Sequence, residues 1–586
     1  MGRVITPIVE PMRRLVLSVL TATALLSGFT PAWAEDSAPT PAAPAAPTSA
    51  EPTSATPTPD PLLPVVPITT EARDEAKDAL TTVSEIFKPK TRAAAQRQTQ
   101  TGADPTLALR DLSLRINALG RAQRGTALAQ FQRPWDDGAV GTRTDCTDPT
   151  HPSATNICLH WATSASATGS AADVANSTWA ENTVLPVLGN VSATYQQAGY
   201  RKPKADGPRT DGANMYGRDA IEDPSGTKTD IYLADLGGQG VYGYCAYDLN
   251  DSGQLVYATA HGDVPSFCVL DNDFSLSTNG GQYRPTYSGE TSADILKVTA
   301  AHEYFHAVQF AYDAFEDAWF MEATATWAEH QLYPAIPDNR QFLPYSQLRF
   351  PQVSLDTWNG VGGFMQYGDW IFFEYLTERI PNRVGPLPGL VLKMWQYADS
   401  LRGSNDQYSM QAISSALAVY HSKLQSIYAQ YAAANRRPSR TYHGGSTYPV
   451  AAPRRTVAVR SHKRRSGSFR IDHLASMTVR LRPQAIRRAG HKATIRVNMA
   501  ARRLGSVAVA TVFLKNGQQA VRTFKLNKKG DGHVRVAFSS RRVAYVDVTL
   551  VNTNHSYHGC SADRQGYACG GQPLHDQVKE SWSISS

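Results

Sequence analysis

The 586 residues suffice for two or three domains, and the formal net charge of +7 conceals an uneven distribution. The six cysteines include no CxxC spacing, which argues against a cysteine-built zinc site. Beyond the N-terminal leader, no apolar run is long enough to span a membrane.

Residues 1–34 read as a secretory signal. Met12, Arg13 and Arg14 supply the charge, residues 15–26 the apolar stretch, and Ala32-Trp33-Ala34 a small-residue cleavage site. The chain is therefore expected to be exported: secreted, with the option of staying on the cell surface. The cysteines agree, because disulfides suit an oxidising compartment. Their simplest arrangement is three sequence-local pairs, Cys146 with Cys158, Cys245 with Cys268 and Cys560 with Cys569, among fifteen conceivable connectivities. Residues 35–67 are rich in Pro, Ala, Thr and Ser and form an expected disordered linker. Residues 68–140 read as helical, with Leu107, Leu109, Leu112, Leu114 and Ile116 in a helix-friendly background. Two readings stay open there: a prosegment over an active-site cleft, or an N-terminal subdomain.

Residues 141–440 form the expected catalytic domain. Strands are predicted over residues 157–162, 229–235, 242–248 and 266–271, and a helix over 174–198 that Pro186 and Gly189 should kink or split. Asp248-Leu249-Asn250-Asp251-Ser252-Gly253 resembles the start of a Ca²⁺ loop, but Thr259 stands where that loop needs Glu, so the segment reads as a turn. Thr291 and Asp294 then make a capping box that opens a helix. Inside it runs His302-Glu303-Tyr304-Phe305-His306, an HExxH motif. Residues four apart share a helix face, so the two imidazoles can meet on one Zn²⁺, with Glu303 placed as the general base that deprotonates the attacking water. Two histidines and a glutamate are costly to bury in so apolar a helix without a partner, and a metal is one partner for all three.

A catalytic zinc site takes a third protein ligand. Asp313, Glu316, Asp317, Glu322 and Glu329 follow closely, and Glu322 lies in a second predicted helix. Trp319, Glu322 and Ala325 there resemble the W-x-x-E-x-x-A pattern of gluzincins of the aminopeptidase N type. The resemblance spans roughly residues 158–379 and implies a gluzincin-type, thermolysin-like α+β catalytic domain. It implies His302, His306 and Glu322 as the zinc ligands. The gap from His306 to Glu322 is a few residues shorter than in thermolysin, and the exopeptidase Gly-x-Met-Glu-Asn strand is absent, so no aminopeptidase role carries over. A metzincin would need Gly and then His or Asp where this chain has Gln309 and Tyr312. Glu329 shares the face of Glu322 and is placed to hydrogen-bond a ligand histidine. By analogy of position, Tyr367 would stabilise the oxyanion. Gluzincins pair extended substrate with an edge strand, and residues 268–273 are the candidate edge.

Residues 446–586 are short, alternating, β-branched runs with turn signals at Asn516-Gly517 and 529–532, expected to form an Ig-like β-sandwich. This tail holds 25 Lys and Arg against 6 Asp and Glu, so the remainder is net acidic. Such charge suits an anionic cell-wall or membrane surface; the absence of interleaved aromatics argues against nucleic acid. The function expected is a secreted zinc metallopeptidase acting on protein or peptide substrates. The competing expectation is an exported surface-binding protein with a non-catalytic zinc-peptidase-like domain.

Overall fold

The computed structural model describes residues 69–91, 93–94, 104–135, 141–147, 157–204, 228–248, 262–279, 281–401, 403–561, 564 and 566–586. The signal sequence, the linker and most of the Ca²⁺-like turn lie outside the described residues. The architecture is α+β, with several sheets and a strand-rich C-terminal region.

Among the described residues the N-terminal part carries α1 (Thr70–Phe87), α2 (Pro105–Arg115) and α3 (Arg121–Ala129). Asp104 caps α2 by accepting from the Leu107 amide, and Pro105 sits at the first helical position, where its missing N–H costs nothing. Leu107, Leu109 and Leu112 are buried.

Five strands follow: β1 (Thr142–Cys146), β2 (Ile157–Ala162), β3 (Thr229–Ala234), β4 (Gly243–Tyr247) and β5 (Ser266–Asp271), in the order β1-β2-β3-β5-β4. β2, β3 and β5 run parallel, while β1 and β4 close the two sides antiparallel. Every residue of β2 to β5 is buried, which explains their nearly unbroken apolar runs. The expected edge at residues 268–273 is corrected here. β5 lies inside the sheet, because β4 folds back along it with Cys245 opposite Cys268, and β4 is the edge. Helix α4 (Leu185–Gln197) is not split at Pro186 or Gly189. A π turn over Ala180–Val184 precedes it, with the Leu185 amide bonding to Ala180, and this wider turn lets the proline follow without breaking the chain's helical course.

Beneath the sheet runs α5 (Ser292–Asp313), opened by the Thr291–Asp294 capping box and buried from Val298 to its end. A four-residue turn leads to α6 (Ala318–Leu332), which packs on α5. Helices α7 (Trp370–Arg379), α8 (Gly389–Ala398), α9 (Ser409–Val419) and α10 (Leu424–Ala434) complete this part.

The C-terminal strands are β6 (Arg455–Val459), β7 (Arg464–Ile471), β8 (Ala475–Pro483), β9 (Lys492–Asn498), β10 (Ser506–Leu514), β11 (Gln519–Thr523), β12 (Asp531–Ala537), β13 (Val543–Asn552) and β14 (Val578–Ser585). They form sheets β11-β10-β13-β8-β6 and β12-β9-β14-β7, which share one core that includes Val479, Val548, Ile495 and Trp582. Helix α10 packs on β10, and Leu474, Val509 and Val551 join the core of the helical part.

All six cysteines form disulfides, in the three sequence-local pairs. Among the described residues no helix is long and apolar enough to cross a membrane.

Candidate metal centre

Helical geometry brings His302 and His306 onto one face of α5, and their rings meet edge to face at 4.8 Å. Opposite them, α6 presents Glu322, which is fully buried. Its carboxylate lies 3.2 Å from Nε2 of His302 through one oxygen and 3.2 Å from Nε2 of His306 through the other. Ala323 and Ala325 flank it with side chains small enough for α6 to lie close to α5.

Each histidine is held from its other nitrogen. His302 donates through Nδ1 to Glu329 Oε1 at 2.6 Å. His306 donates through Nδ1 to Gln309 Oε1 at 2.7 Å, and the Gln309 amide is oriented in turn by donating to the Met321 carbonyl and the Thr324 hydroxyl. With Nδ1 committed as a donor on each ring, Nε2 is the atom left facing the carboxylate and free to take a proton or a cation.

A fourth group completes the cluster. Asp104, at the start of α2, brings a carboxylate oxygen so close that the ligating atoms of Asp104, His302, His306 and Glu322 all lie within 4.8 Å of one another. Its Oδ2 accepts from the Tyr367 hydroxyl at 2.8 Å, and Tyr367 stacks against the His302 ring. Glu303 lies beside the cluster and accepts from the Thr106 hydroxyl at 3.2 Å. A cavity of about 120 Å³ remains, lined by Asp104, Gly243, His302, Glu303, Phe342 and Tyr367.

The electrostatics test whether a metal suits these residues. Burial opposes charge on His302, yet the carboxylates of Glu322 and Glu329 outweigh it and raise the imidazole well above its ordinary value. Burial also opposes charge on His306, and Glu322 again prevails. Glu322 itself is held far below the carboxylate range: burial works the other way, and His306 and His302 overcome it. The cluster therefore demands positive charge between its donors. His306 Nε2 and both Glu322 oxygens make no hydrogen bond, although they are buried. One divalent cation would replace two ring protons and satisfy these atoms together, so the donor set of two imidazoles and carboxylate oxygen fits such an ion.

The remaining acidic candidates go elsewhere. Asp313 caps the Phe315 amide, Glu316 accepts from the amides of Asp317 and Ser409, and Asp317 accepts from the Cys569 amide. Three site residues escape the sequence reading. Gln309 lies one turn past His306, a spacing that could have flagged it. Asp104 and Thr106 carry only a helix-start signal, with nothing to tie them to a motif about 200 residues downstream.

No family model and no curated protein matches this chain. Among solved structures, a part of the chain aligns with a novel family GH115 4-O-methyl-alpha-glucuronidase, BtGH115A, with specificity for decorated arabinogalactans. That alignment has 8% identity and a TM-score of 0.12, and it covers 50% of this chain and 38% of that one. A likeness this slight defines no shared fold.

Proposed function

We propose that this chain is a secreted zinc-dependent metallopeptidase of the gluzincin type, with His302, His306 and Glu322 as metal ligands. The observation that carries the reading is the convergence of two Nε2 atoms on one buried carboxylate, with Glu303 beside them at a cavity. Zinc held there would supply Lewis acidity toward a peptide carbonyl and acidify water at its side. Glu303 takes the proton from the attacking water and delivers it to the leaving amine. Burial, partly offset by His302, raises its carboxyl above the ordinary value, which suits a group that must both accept and donate. Tyr367 supplies a hydroxyl within reach of the same cluster for the developing oxyanion. The edge strand β4 offers backbone groups to an extended peptide. The disulfides support an extracellular setting.

The test is metal content and cleavage of an unfolded protein by the chain from Glu35 onward, beside Glu303→Gln. About one zinc per chain in both proteins is expected, with cleavage lost in the variant. Cleavage retained by Glu303→Gln refutes the mechanism.

One observation favours a second, compatible role. The sheet β12-β9-β14-β7 turns Arg464, Arg470, Arg496, His533, Arg535 and Lys579 to solvent on one face. Such a face suits an anionic wall polymer or membrane surface. Retention on anionic vesicles at low salt and release at high salt is expected; binding that ignores salt excludes this role.

A further inference from the structure

Resting on the metallopeptidase reading, one feature of the site goes beyond it. Asp104 lines the cavity together with His302 and Glu303, and it belongs to the N-terminal helical segment rather than to α5 or α6. A hydrolytic zinc site needs one coordination position free for water or substrate. Here a carboxyl oxygen from residue 104 lies among the donors instead.

Three further contacts block the remaining parts of the machinery. The Tyr367 hydroxyl, which would donate to an oxyanion, donates to Asp104 Oδ2. The Thr106 hydroxyl donates to Glu303 Oε2, the proton acceptor. The same Thr106 oxygen accepts from the Cys245 amide at 3.0 Å, on the edge strand that would pair with peptide. Two residues of one helix start thus engage the ligand cluster, the general base, the oxyanion donor and the substrate edge together. The segment is also well seated. Arg110, one helical turn beyond Thr106, is buried and donates to the carbonyls of Ala314, Phe315 and Glu316 in the turn that joins α5 to α6.

We infer that Asp104 is a fourth metal ligand and that α2 is a built-in stopper, so that the chain as it folds is mostly closed and turns over only through a minor open population. Displacement of α2 frees the coordination position, the Glu303 carboxylate, the Tyr367 hydroxyl and the Cys245 amide in a single event. The acidic side chain is what this role requires. It satisfies the metal, and Asp also caps its own helix, so ligation and helix order reinforce each other.

The test uses the full chain from Glu35 with Co²⁺ in the site, because cobalt reports its ligands through visible absorption. The spectra of the wild type, Asp104→Asn and Asp104→Ala are recorded with and without acetohydroxamate, a metal-seeking probe. Asn retains the helix cap, so Asp104→Asn keeps the fold even where Asp104→Ala loosens α2. In the wild type the hydroxamate is expected to leave the cobalt bands nearly unchanged. In Asp104→Asn the bands shift before any addition and shift again with the probe, whose apparent affinity rises about tenfold or more as the open state becomes populated. Cleavage of unfolded protein rises in parallel. Identical cobalt bands and equal hydroxamate affinity in wild type and Asp104→Asn would overturn the stopper while leaving the metal site standing. Loss of cobalt from Asp104→Asn with no gain in cleavage would make Asp104 a permanent ligand and also overturn it. Absence of cobalt bands from all three proteins would overturn the metal reading itself, and the inference with it.

Discussion

At the scale of single residues, the site is decided by which nitrogen of each histidine carries its proton. Glu329 and Gln309 set this by taking the Nδ1 protons of His302 and His306. Glu329→Gln keeps the shape but removes the charge that steadies the His302 ring, and Gln309→Ala frees the His306 ring to rotate. Each is expected to lower zinc affinity about 10–100-fold with the fold retained, as read by chelator competition. Unchanged affinity in both would mean that packing alone orients the rings. The two histidines and Glu303 were legible because helical spacing translates directly into a shared face. Glu329 was legible for the same reason, seven residues beyond Glu322. Asp104 was not, since a carboxylate that starts a distant helix looks in sequence like a cap, and here it is one as well. The role of a residue with two partners shows only once the second partner is in place.

At the scale of elements, the distance between β4 and α5 governs whether Glu303 sits beside the cluster. Gly243 sets it: a Cβ there would stand 2.9 Å from Glu303 Cγ and 3.0 Å from Leu270 Cδ2 and Thr299 Cγ2. Gly243→Ala is expected to push the edge strand off the helix and cost about 1–3 kcal/mol in urea unfolding, a penalty of overpacking. The same substitution should reduce cleavage beyond what the stability loss explains, because it moves Glu303, the proposed general base. The helix start is a gentler lever. Thr291→Ala removes one half of the capping box and is expected to cost about 1 kcal/mol with no change in zinc content. Elements with apolar strands were plain in the sequence, since burial on both faces leaves a continuous hydrophobic run. Strand order was not: β4 and β5 carry the same kind of run, and only the parallel pairing of β3 with β5 shows that β4 lies outside. β7 and β14 carry a weak strand signal because their exposed face is largely Arg and Ser, leaving few buried positions such as Ile471, Trp582 and Ile584 to mark them.

At the scale of the whole molecule, composition suggests a separable basic tail, yet the contacts tie it into the part that carries the candidate metal centre. His473, fully buried before β8, faces Asp356 through Nε2 at 3.0 Å and Asp576 through Nδ1 at 3.1 Å, with Ser354 beside it. Tyr557 and the Ala568 amide hold the other oxygen of Asp356, and Asp317 at the head of α6 accepts from Cys569. The C-terminal disulfide loop therefore supports the helix that carries Glu322. Burial opposes charge on His473, but Asp356 outweighs it and raises the imidazole from 6.5 to about 9. A raised folded-state value means that this contribution is complete below pH 6.5 and is lost as pH climbs through about 9. Asp576 is lowered mainly by its hydrogen bond to His473, and Asp356 is lowered because the His473 charge overcomes burial. Their contribution is present above the ordinary carboxylate value and fails in acid. Stability should thus fall between pH 7 and 10 in the wild type. His473→Ala leaves the buried Asp356 carboxylate without its cation and is expected to cost about 3–5 kcal/mol. It should also flatten the alkaline decline, because the titrating group is gone. Thermal melts of both proteins across that range decide the matter. If the two melting temperatures fall in parallel, the seam is held by apolar contacts such as Leu474 and Val551 and the histidine is incidental to it.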